Sequence, residues 1–550
     1  MIGYAIAFAG VLSFNMTFAE TSQVKFSQSD NELYAYDSVE ITISVDKPNV
    51  KNPFIDVVVD GEFKGDDGKA IHVDGFCDSQ DGSIFRIRFM PTQSGNYAYS
   101  VKYHQGDIEI NHNGKFTAKD GKKLGLIRVD PEHPWHFICE GTGEHYFWNS
   151  TTTYWIVGWD DDNIYKSLDR LARLKINRIR ATISGRVKDG QAWFENVYPT
   201  DKFTFLFNPW IPKNPNSLEN PEFDLKRFNV AHWQKYDRML KYAQDKGIIV
   251  SVIFYLDGAR PGCYPFGKEL AGGEDEQRYY RYAVTRFSAF SNVMWDVTNE
   301  YQLFRDEAWT NKMGTFLKEC DPYKHLTSVH GHGDFIFRTA QWADFAMYQS
   351  WDEGGSYDFM IRHRENQKKT GRIIPQINEE YGYEDHYPKA WGGGKVAPAR
   401  SGDNRRRLAW GMYMAGGYQT TGEKAETDDG WHDTAGGGWI NGRGDDSMTM
   451  LSGYGYIMDF FTSISWWELE PNNDFIEKPD GVYASRSDKG DLGVVYFPSG
   501  KEIKIKPDVL KNGLKAKWYN PRNGQWSDAK CLQDNTYKAP DDNDWALLFN

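Results

Sequence analysis

The chain has 550 residues, 40% hydrophobic and 15% aromatic, with 64 basic against 77 acidic side chains and a net charge of −13. That length exceeds one small core and suggests about three or four domains, while the acidic balance argues against nucleic acid or an anionic membrane as a general partner. Five scattered cysteines without CxxC spacing define neither a zinc site nor a disulfide framework.

Residues 1–19 carry an apolar run ending in Thr17-Phe18-Ala19, the pattern of a signal peptide, and point to a periplasmic or extracellular address. No other run is long enough to span a bilayer. Residues 20–119 are all-β in texture. Segments 39–45 and 84–89 alternate strictly, and the turn signals Asp60-Gly61 and Ser94-Gly95 adjoin the apolar runs 57–59 and 97–101. Short strands punctuated in this way predict a β-sandwich of immunoglobulin type, a support or binding module with no constellation suited to chemistry.

A polar hinge at 120–125 opens residues 120–483, where strands alternate with amphipathic helices. Asp160 to Asp162 cap a helix whose Ile164, Leu168, Leu171 and Leu174 share one face. A strand over 176–180 follows, with Arg180 at its end, and a helix through Trp233, Tyr236 and Leu240 stops at Gly247. The buried strand 248–255 closes on Asp257, and the run Val293, Met294, Trp295, Val297 closes on Asn299 and Glu300. Further strands are expected over 326–329, 345–349, 373–380 and 417–421. With a first strand led in by residues 145–155, these predict eight strand-then-helix units, the number that closes a (β/α)8 TIM barrel. The Gly- and Trp-rich stretch 431–446 is too long for a plain connector and is expected to line a site at the barrel's top face. Residues 484–550 return to strand texture, with a turn at 520–524, and predict a small C-terminal β-sandwich.

In such barrels the carboxyl ends of the strands carry the ligand and the chemistry. Glu300 and Glu380 end strands four and seven, which lie across the barrel mouth. Cleaving a glycosidic bond takes a proton donor for the leaving oxygen and a carboxylate facing the anomeric carbon, roughly 5–5.5 Å apart in retaining enzymes and about 6.5–9.5 Å in inverting ones. Glu300 suits the acid, because Asn299 beside it can bond a sugar hydroxyl, and Glu380 suits the nucleophile. Nearby carboxylates shift one another so that one keeps its proton while the other ionises. Taken singly, each glutamate could instead be a helix-end neighbour or a surface charge. The surplus of 20 Trp and 32 Tyr fits stacking on sugar faces as well as core filling.

Trp295-Asp-Val-Thr-Asn-Glu300 resembles the acid/base signature of the large clan of retaining (β/α)8 glycoside hydrolases, and Asn378-Glu-Glu380-Tyr-Gly382 resembles their strand-seven nucleophile motif. Asn177 and Arg180 are similar to the clan's strand-two Asn-x-x-Arg, which implies an arginine near the nucleophile. The order of parts resembles the apiosidase-like barrels preceded by an immunoglobulin-like domain. Gly75-Phe76, Arg88 to Pro91 and Gly95 carry the likeness in the leading domain, Phe147 to Trp155 in the first barrel strand, Asn378 to Glu384 in strand seven, and Trp518 to Gly524 in the tail. Glu379 and Tyr381 stand where that family has Gly and Pro, so Glu379 is an alternative nucleophile, since strand neighbours face opposite ways.

Further candidates surround the pair. Tyr348, at the end of strand six, resembles the clan's tyrosine that hydrogen-bonds the nucleophile, with core packing as the alternative. His330 and His332, followed by Asp334, have a metal-like composition, but sugar hydroxyl binding at a barrel mouth explains them better, and no HExxH motif exists. Trp155, Trp351, Trp391, Trp431 and Trp439 are candidate sugar platforms, and Asp257 and Asp296 are candidate supporting or substrate-binding acids. Arg362, Arg364 and Arg405 to Arg407 would suit a sulfated or uronic sugar, or else form solvated helix faces. The whole predicts a secreted retaining glycoside hydrolase that acts on a plant or algal polysaccharide or oligosaccharide and requires no cofactor. A non-catalytic carbohydrate-binding or adhesive protein and an inverting enzyme pairing Glu300 with Asp257 are the rivals. A protease or esterase would need a GxSxG or zinc motif, which is missing.

Overall fold

The computed structural model describes residues 23–186, 200–351, 356–384, 400–424, 438–444, 446 and 448–550. The expected signal peptide, residues 1–19, lies outside them. The N-terminal part is a β-sandwich of a four-stranded and a five-stranded sheet. Its strand Val39–Val45 alternates as its pattern predicts, with Val39, Ile41 and Ile43 fully buried. The Asp60-Gly61 pair proves not to be a turn. The strand Val57–Gly65 runs straight through it, paired on both sides. A Cβ at Gly61 would stand 2.9 Å from Ile87 of the opposing sheet, so the glycine serves close sheet-on-sheet packing.

Eight parallel strands form the centre: β1 (Ser150–Thr152), β2 (Arg178–Ser184), β3 (Ile249–Tyr255), β4 (Val293–Asp296), β5 (Thr327–Ser328), β6 (Ala346–Gln349), β7 (Gln376–Glu380) and β8 (Tyr418–Thr421). Their order is β5-β4-β3-β2-β1-β8-β7-β6. Between the two ends of that list, the Asp344 N–H donates to Thr327 O at 2.8 Å and Ser328 Oγ to Phe345 O at 2.6 Å, which closes the barrel. Every residue of β2 and β3 is buried, the condition of parallel strands covered on both faces. Strand β2 continues to Ser184, so Arg180 lies within the strand and not at its end. The apolar continuation Ala181-Thr-Ile183 carries the strand past it.

Helices α1 (Asp161–Arg173), α2 (Val230–Asp245), α3 (Glu274–Phe287), α4 (Glu307–Cys320), α5 (Tyr357–Lys368), α6 (Gly402–Met414) and α7 (Met450–Thr462) surround the strands. Asp160 caps α1 by accepting from the Asn163 N–H at 2.9 Å. Among the described residues no helix is long and apolar enough to cross a membrane.

Both flanking domains are tied to the barrel by ion pairs whose arginines are buried. Arg88 of the sandwich donates to Asp237 of α2 at 3.0 Å and to the Arg286 carbonyl of α3 at 2.8 Å, while Arg286 reaches back to Asp78 at 2.8 Å. The C-terminal six-stranded sheet begins with Leu469–Pro471, ahead of residue 484. Arg406 of α6 pairs with Asp544 at 2.8 Å, Arg364 of α5 pairs with Glu470 at 2.7 Å, and Trp410 stacks on Tyr496 at 4.8 Å. Arg364, Arg405 and Arg406 are buried, so they are neither sugar-binding cations nor solvated helix faces. Facing a second domain, the helices supply the charges that hold it.

Candidate active site

A cleft of about 580 Å³ opens among the strand ends, lined by Asp257, Asn299, Glu300, Gln349 and Glu380. Strand β4 ends at Asp296, but the chain beyond it stays tied to its neighbours. Val297 N–H donates to Ser328 O at 3.0 Å and Asn299 N–H to Tyr255 O at 3.0 Å. Glu300 then adopts a left-handed backbone, φ 49° and ψ 52°, an unfavourable state for a residue with a Cβ. Asp257, just beyond β3, does the same with φ 55°. Strained residues at neighbouring strand ends are a common mark of functional positions.

The register between β6 and β7 shifts between Tyr348 and Gln349, which puts Gln349 opposite Glu380. Gln349 Nε2 donates to Glu300 Oε1 at 3.0 Å, and half-exposed His332 brings Nε2 to 3.4 Å from the same oxygen. Glu380 Oε2 accepts from the Tyr154 hydroxyl at 3.0 Å, and the Tyr383 hydroxyl lies 2.9 Å from that same phenol. His330 is fully buried with Nε2 3.9 Å from Glu380. Asp334 turns away and pairs with Arg338 and His363, so the two histidines and this aspartate diverge.

Glu379 takes the other course. It is fully buried, 2.7 Å from Arg178 Nη1 and 3.1 Å from Arg180 Nε, and it accepts from Thr420 Oγ1 at 3.1 Å. Arg180 also donates through Nη2 to Asp296 at 2.9 Å and to Asn299 Oδ1 at 3.0 Å, and through Nη1 to the Tyr154 hydroxyl at 3.1 Å. Tyr348 points away from the cleft, because its hydroxyl accepts from Arg338 at 2.9 Å and donates to Gln376. It therefore does not bond Glu380. Gln349, next along the strand, faces the mouth instead.

The segment 137–423, just over half of the chain, matches the model of the apiosidase-like catalytic domain. The chain belongs to the apiosidase-like family. Its barrel is thus the catalytic domain of a glycoside hydrolase. Residues 32–104 match a domain of unknown function, and residues 472–550 match a family described as "Putative collagen-binding domain of a collagenase". No curated protein matches the chain. Among solved structures, a "putative glycoside hydrolase" from Bacteroides vulgatus superposes with a TM-score of 0.73 at 19% identity, covering 95% of this chain and 100% of its own. A glycoside hydrolase family 5 structure from the same organism has a TM-score of 0.58 at 18% identity, covering 78% and 93%. At such identities these likenesses establish the fold: a (β/α)8 barrel between flanking β-domains.

Within this apiosidase-like barrel the electrostatics single out the mouth. Burial, then the charge of Glu300, pushes the Glu380 carboxyl upward, against the opposing pull of Arg180, Tyr154 and Tyr383. Two like charges cannot both be accommodated cheaply, so the pair holds a proton toward neutrality. Burial also raises Asp257 to about 7, opposed by Arg260 at 3.3 Å and assisted by Glu300. Asp296 is lifted by burial to about 6, with Arg180 opposing.

The aromatic wall is less open than expected. Trp155 and Trp439 line the cleft but are only 1% and 2% exposed, and Trp439 stacks on Tyr383 at 4.5 Å. Trp351 is the partly exposed one and packs edge-on against Tyr383 at 5.3 Å. Trp391 and Trp431 lie outside the described residues. The residues that sequence reasoning missed are Tyr154, Gln349, Tyr383, Arg260 and Arg400, which share the same cleft. Tyr154, Gln349, Tyr383 and Arg260 each sit within a few positions of a residue already singled out at a strand end, which was the available signal, whereas Arg400 stands just before α6 and carried none.

Proposed function

We propose that this protein is a retaining glycoside hydrolase in which Glu300 is the acid/base and Glu380 the nucleophile. The observation that carries it is a shared cleft in which the charge of Glu300 bears on Glu380, while among the described residues the only basic side chains within ion-pair distance of the two carboxylates are His332 and His330. In the first step Glu380 attacks the anomeric carbon, the glycosidic bond breaks, and Glu300 gives its proton to the departing oxygen. A glycosyl ester on Glu380 results. In the second step Glu300 takes a proton from water, the hydroxide oxygen bonds the anomeric carbon, and Glu380 leaves as carboxylate. Asn299 supports both steps. Because its Oδ1 accepts from Arg180, its amide N–H groups are directed to other partners, which suits a substrate hydroxyl at the cleft. His332 and Trp351 flank the same opening and suit the sugar on the leaving side.

The proposed substrate is a plant or algal polysaccharide or an oligosaccharide derived from it, met outside the cytoplasm. Glu380→Ala is expected to lose turnover by more than about 10⁴-fold and to regain it with azide, yielding a glycosyl azide of inverted configuration. Rescue at Glu379→Ala and not at Glu380→Ala would move the nucleophile by one position. Asp257 faces the same cleft with a raised pKa, which keeps an inverting reaction in view. Proton NMR of the first-formed anomer decides it: retention supports the proposed pair, inversion supports Glu300 with Asp257. Binding of glycans with no turnover of any would instead favour the adhesive reading.

A further inference from the structure

The nucleophile candidate lacks the partner that its neighbourhood leads one to expect. Arg180 directs its nitrogens to Glu379, Asp296, Asn299 and Tyr154, with no bond to Glu380 among them. Tyr348 is engaged with Arg338 and Gln376. What reaches Glu380 Oε2 is the hydroxyl of Tyr154, just past β1 and itself nearly fully buried. That hydroxyl is saturated: it accepts from Arg180 at 3.1 Å, lies 2.9 Å from the Tyr383 hydroxyl, and donates to Glu380 at 3.0 Å. Its backbone is held as firmly. Thr182 N–H donates to Tyr154 O at 3.0 Å, and Thr153 N–H donates to Arg180 O at 3.1 Å. The Arg180 guanidinium lies 5.4 Å from the Tyr154 ring centre, so the positive charge also polarises the phenol from its face.

Resting on the reading of Glu380 as nucleophile, we infer that Tyr154 is its positioning residue, carrying the influence of Arg180 to the carboxylate through a single phenolic hydroxyl shared with Tyr383. The bond to Oε2 leaves Oε1 to attack the anomeric carbon. On glycosylation the carboxylate becomes a neutral ester, Oε2 becomes its carbonyl oxygen, and the hydrogen bond from Tyr154 weakens. On deglycosylation the C–O bond breaks, its electron pair returns to the carboxylate, and the same bond strengthens as charge reappears. Tyr154 therefore favours the second step and lowers the proton affinity of the resting carboxylate.

Two measurements on the full chain test this. With a 2,4-dinitrophenyl glycoside that the wild type turns over, Tyr154→Phe is expected to lower kcat and KM together by about 10- to 100-fold, as glycosyl-enzyme accumulates. Carboxyl-¹³C glutamate NMR, with the Glu380 signal assigned by its loss in Glu380→Gln, is expected to show Glu380 titrating about one to two pH units higher in Tyr154→Phe. Tyr383→Phe should give a smaller shift in the same direction, and Tyr348→Phe none. The idea is overturned if the Glu380 titration moves in Tyr348→Phe but not in Tyr154→Phe, or if kcat falls with KM constant and the titration unmoved. The NMR arm needs no turnover, so it judges Tyr154 even if Glu380→Gln proves active and the nucleophile must be sought elsewhere.

Discussion

Inside the barrel, Glu379 and Asp296 meet Arg178 and Arg180 at 2.7–3.1 Å with every partner fully buried. At its mouth, Glu300 and Glu380 meet an amide, imidazoles and phenolic hydroxyls. The residue types are alike and the treatment is opposite. A charge sealed from water needs a counter-charge to exist as a charge at all. A carboxyl that must gain and lose a proton during turnover needs partners that leave its affinity adjustable. Glu379 and Glu380 are adjacent in sequence, yet the first is sealed against two arginines and the second meets a phenol and an imidazole at the cleft.

The sharpest way to break that contrast is at the acid. Glu300→Ala is expected to lower kcat/KM about 10²- to 10⁴-fold for a poor leaving group and far less for 2,4-dinitrophenolate, which needs no proton. Equal losses for both leaving groups would take Glu300 out of the acid role. Next in size is Glu379→Ala, which leaves Arg178 and Arg180 without their shared carboxylate. Denaturant unfolding should show a loss of about 3–5 kcal/mol. A variant of wild-type stability would mean that the interior network is not holding the barrel.

The smallest effect concerns pH. The folded Glu380 pKa is raised, so between the ordinary glutamate value and the raised one the native state binds more protons than the unfolded state. Stability from this group is complete below that window and is lost as pH rises through it. Glu380→Gln should therefore have a higher Tm than wild type at pH 8 and converge on it toward pH 4. A difference that widens on acidification would contradict the sign of the shift.

Much of the barrel was legible because its signals are local. Parallel strands buried on both faces must be apolar runs, and 248–255 and 293–297 announce themselves by composition. Helix caps such as Asp160 depend on a few neighbouring atoms. The placement of Glu300 and Glu380 near strand ends was legible from the same apolar runs, although β4 stops at Asp296 and β7 runs on past Ile377 to Glu380. Less local features failed. Gly61 looked like a turn because its reason lies in Ile87 of the opposing sheet. Arg364 of α5 and Arg406 of α6 looked like ligand-binding or solvated cations because Glu470 and Asp544 are distant in the chain, whereas Arg362 is exposed as a solvated face requires.

By itself, then, the sequence settled most of the barrel's strands and helices, that eight strands follow one another around it, and that Glu300 and Glu380 come near the mouth, although among the described residues no helix separates β5 from β6. Tertiary structure decided which of two adjacent glutamates is neutralised by arginine and which is left to a tyrosine. The reason is that neighbours on a strand face opposite ways, so that closure of the barrel brings Glu379 of β7 onto Arg178 and Arg180 of β2 and Glu380 onto Tyr154, all from distant parts of the chain.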